Sequence, residues 1–345
     1  MCLSLKYINF KYLSLVDLIM KNKNIKISGP VFSLITPFTS SGKIDYKSYF
    51  KYIDFYYSQG VRIFYLMLYN SRLGVLDEKE TQVLNFRTAN FLKKKYKNTI
   101  FIGAEKFEGS AKETISRINK LSKYPIDMFS VIFGEKYYND DQLYSHFKYI
   151  NNKTKLPLLL HLQKMMSGFG GEPPVLNYSI SVTKKICKLK NFVAIKEDAK
   201  EINFTKKLIK KIKKDVSIIR SGGGMSVWKN FKSLGCQAWL VGIELLDPRI
   251  SFDFLKALKN NDHSFLKNLE HKIEKPFFKE VEKYGWHIFI KSCLEDCRII
   301  PRHERLPLKR LSFNDNKKVK KFMSNLRIVS KKYFKKDYFV KRNLI

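Results

Sequence analysis

Cysteine, glycine, proline and acidic residues are all sparse in this chain. Five cysteines occur in 345 residues, at positions 2, 187, 236, 293 and 297. Their odd number and scattered placing do not read as a disulfide framework. Such usage fits a reducing compartment, and a cytoplasmic location is expected. Cys293 and Cys297 lie four apart, as two neighbours on one helical face would. His303 is close in sequence but belongs to no recognisable ligand spacing, so buried structural thiols and no metal are expected. With 16 Gly and 10 Pro against 44 % apolar residues, the chain is not collagen-like, low-complexity or disordered. It has no run of about 18 uncharged apolar residues, which excludes a membrane-spanning helix. A G-x-G-x-x-G turn is missing after the first strand-like run, where a dinucleotide-binding open sheet would carry one. Acidic residues are outnumbered two to one by basic ones, 31 Asp and Glu against 66 Lys and Arg, a formal charge of +35.

Residues 1–28 resemble a signal peptide only superficially. Lys6, Lys11 and Asp17 interrupt the apolar stretch, no small-residue cleavage site follows, and Met20 is an alternative start. This segment is read as an N-terminal extension.

From residue 31 a two-beat pattern repeats. Strand-like runs occupy Val31–Phe38, Arg62–Met67, Thr99–Glu105, Met128–Glu135, Pro157–Gln163, Phe192–Asp198, Ser217–Gly222 and Gln237–Gly242. Each is followed by an amphipathic segment, the eighth at about 248–260. Eight short apolar strands alternating with eight helices predict a (β/α)₈ barrel over 29–260. Helical segments at about 262–284, 287–297 and 315–328 predict a C-terminal helical appendage over 261–330, followed by a basic tail, 331–345.

The +35 charge invites a nucleic-acid reading. Position argues against it. In the sixth helix Phe204, Leu208 and Ile212 form one stripe while Lys206, Lys207, Lys210, Lys211, Lys213 and Lys214 fill the remaining surface. The lysines spread over helix exteriors, so nucleic acid is not the expected partner. The tail, Lys331–Arg342, is the one stretch that locally resembles a polyanion- or membrane-surface arm.

Chemistry in such a barrel sits at the C-terminal ends of the strands. Lys196 follows the apolar run Phe192–Ile195 inside the barrel. Burial disfavours an ammonium, lowers its pKa and frees the amine to act as a nucleophile toward a carbonyl. The same residue could instead be a structural lysine paired with Glu197 or Asp198, and both readings stand at this point. His161 ends the apolar strand Pro157–Leu160; it is either a satisfied core residue or a proton-transfer group. Ser221–Gly224 opens a helix but lacks a P-loop Lys-Ser/Thr, so a tight turn is expected there.

With the strands placed, the sequence resembles the dihydrodipicolinate synthase / N-acetylneuraminate lyase family from about Gly29 to Leu326. Val31–Phe38 with Gly42–Asp45, Tyr137–Asn139, Ile195–Glu197, Ser221–Gly223, Ile290–Leu294 and Arg305–Leu308 carry the resemblance by their order and spacing. It implies a class I aldolase or lyase. Lys196 would form an imine with pyruvate or another 2-oxo acid, with no other cofactor. Tyr138 matches the tyrosine that in the synthases reaches a neighbouring subunit's proton relay, and a homodimer or homotetramer is implied.

The departures define a divergent member. The family's carboxylate-holding motif after strand 2 is replaced by Leu68–Arg72; Tyr69, Asn70, Ser71 and Arg72 are taken as substrate-binding, with Arg72 supplying charge. Lys164 and Leu240 join them. His161 replaces the family's strand-5 tyrosine. Met166 stands where the synthases carry an arginine for the second substrate, which argues against the lysine-pathway substrate. The alternative function is a degenerate barrel that binds a small ligand without turnover.

Overall fold

The computed structural model describes residues 25–106, 110–133, 139–166 and 175–345. The readings for residues 1–24 and for Tyr138 lie outside the described residues.

Eight parallel strands close into a barrel. They are β1 (Gly29–Ser33), β2 (Ile63–Tyr65), β3 (Ile100–Ala104), β4 (Met128–Val131), β5 (Leu158–Leu162), β8 (Phe192–Glu197), β9 (Ser217–Arg220) and β10 (Ala238–Leu240). The order around the barrel is β1-β10-β9-β8-β5-β4-β3-β2. Every strand residue from β2, β4, β5, β8 and β10 is buried. That is why the strands read as unbroken apolar runs: their outer face is covered by helices and their inner face by one another. An additional antiparallel pair, β6 (Met165–Met166) with β7 (Val175–Leu176), interrupts the β5-to-helix connection. The apolar strand pattern gave no sign of it.

Local chemistry starts the helices where the sequence allows it. Asp77 caps the helix Glu78–Lys95 and Ser110 caps Ala111–Leu121, each as a capping box closed by Glu80 and Glu113. Losing such a cap costs about 1 kcal/mol. In Ile202–Ile212 the residues Thr205, Leu208, Ile209 and Ile212 are buried while the lysines face outward, as the charge pattern predicts.

The C-terminal region is mostly helical, with non-helical stretches at 297–312 and 335–345. His263–Asn268 continues through a π-turn, Leu269–Glu274, into Lys275–Tyr284. Gly285, at φ 79°, allows the sharp junction to Trp286–Asp296. The helix Phe313–Phe334 then runs past residue 331, where the basic tail was expected to begin. The remainder is not a free arm. Tyr338 and Phe339 are buried, Phe339 N–H donates to Asp247 Oδ2 at 3.1 Å, and Arg342 N–H donates to the Cys297 carbonyl at 2.7 Å. Its aromatic residues supply the core face that its lysines conceal in the sequence. Cys187, Cys236, Cys293 and Cys297 are buried free thiols.

Among the described residues no helix is long and apolar enough to cross a membrane, and no three His, Cys, Asp or Glu side chains gather as metal ligands would.

Candidate active site

The parallel register sets His161 of β5 directly beside Lys196 of β8. Side chains alternate along a strand, so Lys196 and Glu197 point to opposite faces. Glu197 meets Arg220 at 3.1 Å and Thr205 at 3.0 Å. Lys196 points the other way and is fully buried. Its Nζ lies 2.8 Å from His161 Nε2 and 2.7 Å from Asp198 Oδ2.

The cluster has a defined protonation logic. Burial pulls the Lys196 ammonium below the ordinary lysine range, opposed by the negative charge of Asp198. Burial and the Lys196 charge also lower His161, to about 4, against the opposing charge of Asp198. Burial alone would raise Asp198, but Lys196 and His161 together hold it well below the carboxylate range. The result is a neutral imidazole and a fixed carboxylate beside one amine. His161 can take a proton from Lys196, and Asp198 can stabilise whatever positive charge forms on that nitrogen.

Lys196 opens onto a cavity of about 730 Å³, of a size for a small molecule. Tyr69, Asn70, Lys164 and Leu240 line it, together with Asp198, Lys200, Trp286 and His287. Tyr69 donates to Gln163 Oε1 at 2.9 Å, and its ring stands edge-on to His161. Lys164 pairs with Glu201 at 3.0 Å.

Two expected substrate-binding residues do not line the cavity, and one that does has its polar atoms engaged within the chain. Ser71 is buried, accepting from Met67 N–H at 3.0 Å and donating to the Leu34 carbonyl. Arg72 is buried in a left-handed turn, φ 61°, which swings it toward the C-terminal helices. There Nε donates to Glu304 Oε1 at 3.0 Å, Nη2 to the same oxygen at 2.7 Å, and Nη1 to His287 Nδ1 at 3.0 Å. Its charge is spent on Glu304 rather than presented to a ligand. Asn70 does face the cavity, but its amide bridges Ser33 at 2.6 Å and Trp286 Nε1 at 2.7 Å.

No motif in the sequence points to Trp286 or His287. Both come from the helical appendage, and only the packing of that appendage over the barrel mouth brings them to the site. Asp198 was visible only as a candidate structural partner of Lys196.

Residues 26–326 match the model of the dihydrodipicolinate synthetase family. The chain belongs to this family. Among curated relatives, the 4-hydroxy-tetrahydrodipicolinate synthase 2 of Clostridium acetobutylicum is 26 % identical, covering 87 % of this chain and 100 % of the relative. The 4-hydroxy-tetrahydrodipicolinate synthase of Pseudomonas aeruginosa is 22 % identical, covering 83 % of this chain and 94 % of the relative. The dihydrodipicolinate synthase structure from Bacteroides thetaiotaomicron superposes with a TM-score of 0.74 at 16 % identity, over 88 % of this chain and 99 % of that one. That likeness shows the shared barrel fold. Low identity throughout marks a divergent member, and membership of the family supports an aldolase- or lyase-type enzyme.

Proposed function

We propose that this protein is a Schiff-base-forming aldolase or lyase acting on pyruvate or another 2-oxo acid through Lys196. The observation that carries the proposal is a fully buried lysine amine, 2.8 Å from a neutral imidazole and 2.7 Å from a carboxylate, at the floor of a small-molecule cavity. No cofactor beyond the covalent imine is invoked.

The chemistry follows from the arrangement. Lys196 gives up a proton to His161 Nε2, and the free amine adds to the 2-oxo carbon. The C–N bond forms as the carbonyl π pair moves to oxygen. His161 returns its proton to that oxygen, a second proton passes from the nitrogen to the hydroxyl, water leaves with it, and the iminium stands beside Asp198. Electron withdrawal by the iminium then lets a proton or a carbon group leave C3, giving the enamine that bonds to a second carbonyl in the reverse direction. His161 thus takes the proton-transfer place that the resemblance gives to a strand-5 tyrosine. Tyr138 would belong to a proton relay only if the chain assembles as a homodimer or homotetramer.

The substrate is not the lysine-pathway one in this reading, because Met166 occupies the place of the second-substrate arginine. A ligand-binding barrel without turnover is the weaker alternative, because it leaves the Lys196–His161–Asp198 cluster without a purpose.

Borohydride reduction with a panel of 2-oxo acids, read by intact mass, tests the proposal. One reduced adduct per chain is expected with pyruvate or a longer 2-oxo acid, and none in Lys196→Arg. Absence of any adduct across the panel would remove the proposal's support.

A further inference from the structure

The two sides of the cavity differ in chemistry. The β5 and β8 side carries the cations Lys164, Lys196 and Lys200. The side built by the helical appendage carries Phe278, Val281, Trp286, His287 and one carboxylate, Glu282. The indole N–H of Trp286 is already held by Asn70. His287 makes one ring hydrogen bond among the described residues, and it is to Arg72.

That bond fixes the imidazole. A guanidinium has five donors and no acceptor, so Arg72 Nη1 at 3.0 Å can only donate to His287 Nδ1. Nδ1 therefore bears a lone pair, and the ring proton sits on Nε2. Arg72 itself is locked. Glu304 takes two of its nitrogens, and the Asn70 and His287 carbonyls accept at 2.9 and 2.8 Å. Burial and the Arg72 charge lower His287 to about 4, against the opposing Glu304 charge, so the ring stays neutral near pH 7. Tyr69 stands between the two imidazoles, its ring 6.3 Å from His161 and 6.5 Å from His287. A ligand anchored at Lys196 thus has His287 on its far side.

We infer that His287 is a specificity-determining residue, presenting a fixed Nε2–H donor to an uncharged oxygen on the distal part of the substrate. The inference rests on Lys196 as the anchor. Glu282 and the apolar neighbours disfavour a distal anion on this side, and a neutral donor suits a hydroxyl or carbonyl. The substrate class is therefore a 2-oxo acid bearing an uncharged polar group, rather than a 2-oxo diacid. Arg72 is a positioning residue, acting through the tautomer it enforces.

Two measurements test this. The first is the ring ¹⁵N correlation spectrum of His287 in the wild-type protein. It should show the neutral Nε2–H tautomer at pH 7; an Nδ1–H tautomer or an imidazolium there overturns the inference, whatever becomes of Lys196. The second compares 5-hydroxy-2-oxopentanoate, 2-oxopentanoate and 2-oxoglutarate, both as competitors of pyruvate trapping and by the melting-temperature shift each gives, which needs no adduct. The hydroxy acid should be preferred, and His287→Phe should erase that preference, about tenfold. His287→Gln, which keeps a donor, should retain part of it. An unchanged preference in His287→Phe, or none in the wild type, overturns the inference. Failure of every 2-oxo acid to leave an adduct would instead indict the imine reading, and the melting shifts would still judge His287.

Discussion

Lys196 and Lys291 are both fully buried lysines, and burial lowers the pKa of both, Lys291 to about 7. Their surroundings separate them. Lys291 Nζ is closed in by the Glu304 carboxylate at 3.1 Å, the His303 carbonyl at 2.6 Å and the ring of Phe38 at 4.5 Å. It ties the appendage to the barrel, sharing Glu304 with Arg72. Lys196 has a proton acceptor on one side, a carboxylate on another, and a cavity in front. A lowered lysine pKa is therefore no mark of a nucleophile by itself. Access and a neighbouring base make the difference.

The largest expected effect that separates the two lysines is on stability. Lys291→Met removes one cation from a sealed ion-pair network and should cost about 3 kcal/mol, the low end for breaking a buried pair because Arg72 still holds Glu304. Lys196→Met should cost under about 1 kcal/mol, because the cavity lets water reach Asp198 and the buried ammonium is itself unfavourable. Chemical denaturation at pH 7 measures both, and equal costs would break the comparison.

A smaller effect lies in pH. An unfolded lysine titrates near its usual range, about 10.4, while folded Lys291 titrates at about 7. Between these values the unfolded chain binds the extra proton, so wild-type stability rises with pH through that window. Lys291→Met lacks this rise. Its cost should therefore grow from about pH 7 toward pH 9, as denaturation at the two pH values would show. A cost that stays flat between these pH values would mean that Glu304 stabilises the ammonium at least as much as burial opposes it.

The sequence made Lys196 legible for a physical reason. An apolar run places it on a strand, and a strand inside a barrel has no solvent for a charge. The eight-strand count was legible for the same reason. The roles of Arg72 and His287 were not. Arg72 looks like an exposed charge after a strand, and its destination, Glu304, lies 232 residues away. Nothing local announces the left-handed turn that aims it, since the residue is not a glycine. His287 lay within an expected helix, but which face of that helix would cover the barrel mouth depends on the Arg72–Glu304–Lys291 tie. The tail shows the converse, where a dense run of lysines hid Tyr338 and Phe339, two buried anchors.

The most direct test of the central claim is exchange of the pyruvate methyl protons in heavy water, followed by NMR. An enamine on Lys196 returns a deuteron to C3 at each reversal, so the wild-type protein should exchange the methyl group well above the buffer rate. Lys291→Met, assayed where it remains folded, should exchange it too, and Lys196→Arg should not. Exchange by Lys196→Arg at the wild-type rate, or none above buffer in the wild type, would contradict the assignment of Lys196 as the imine-forming residue.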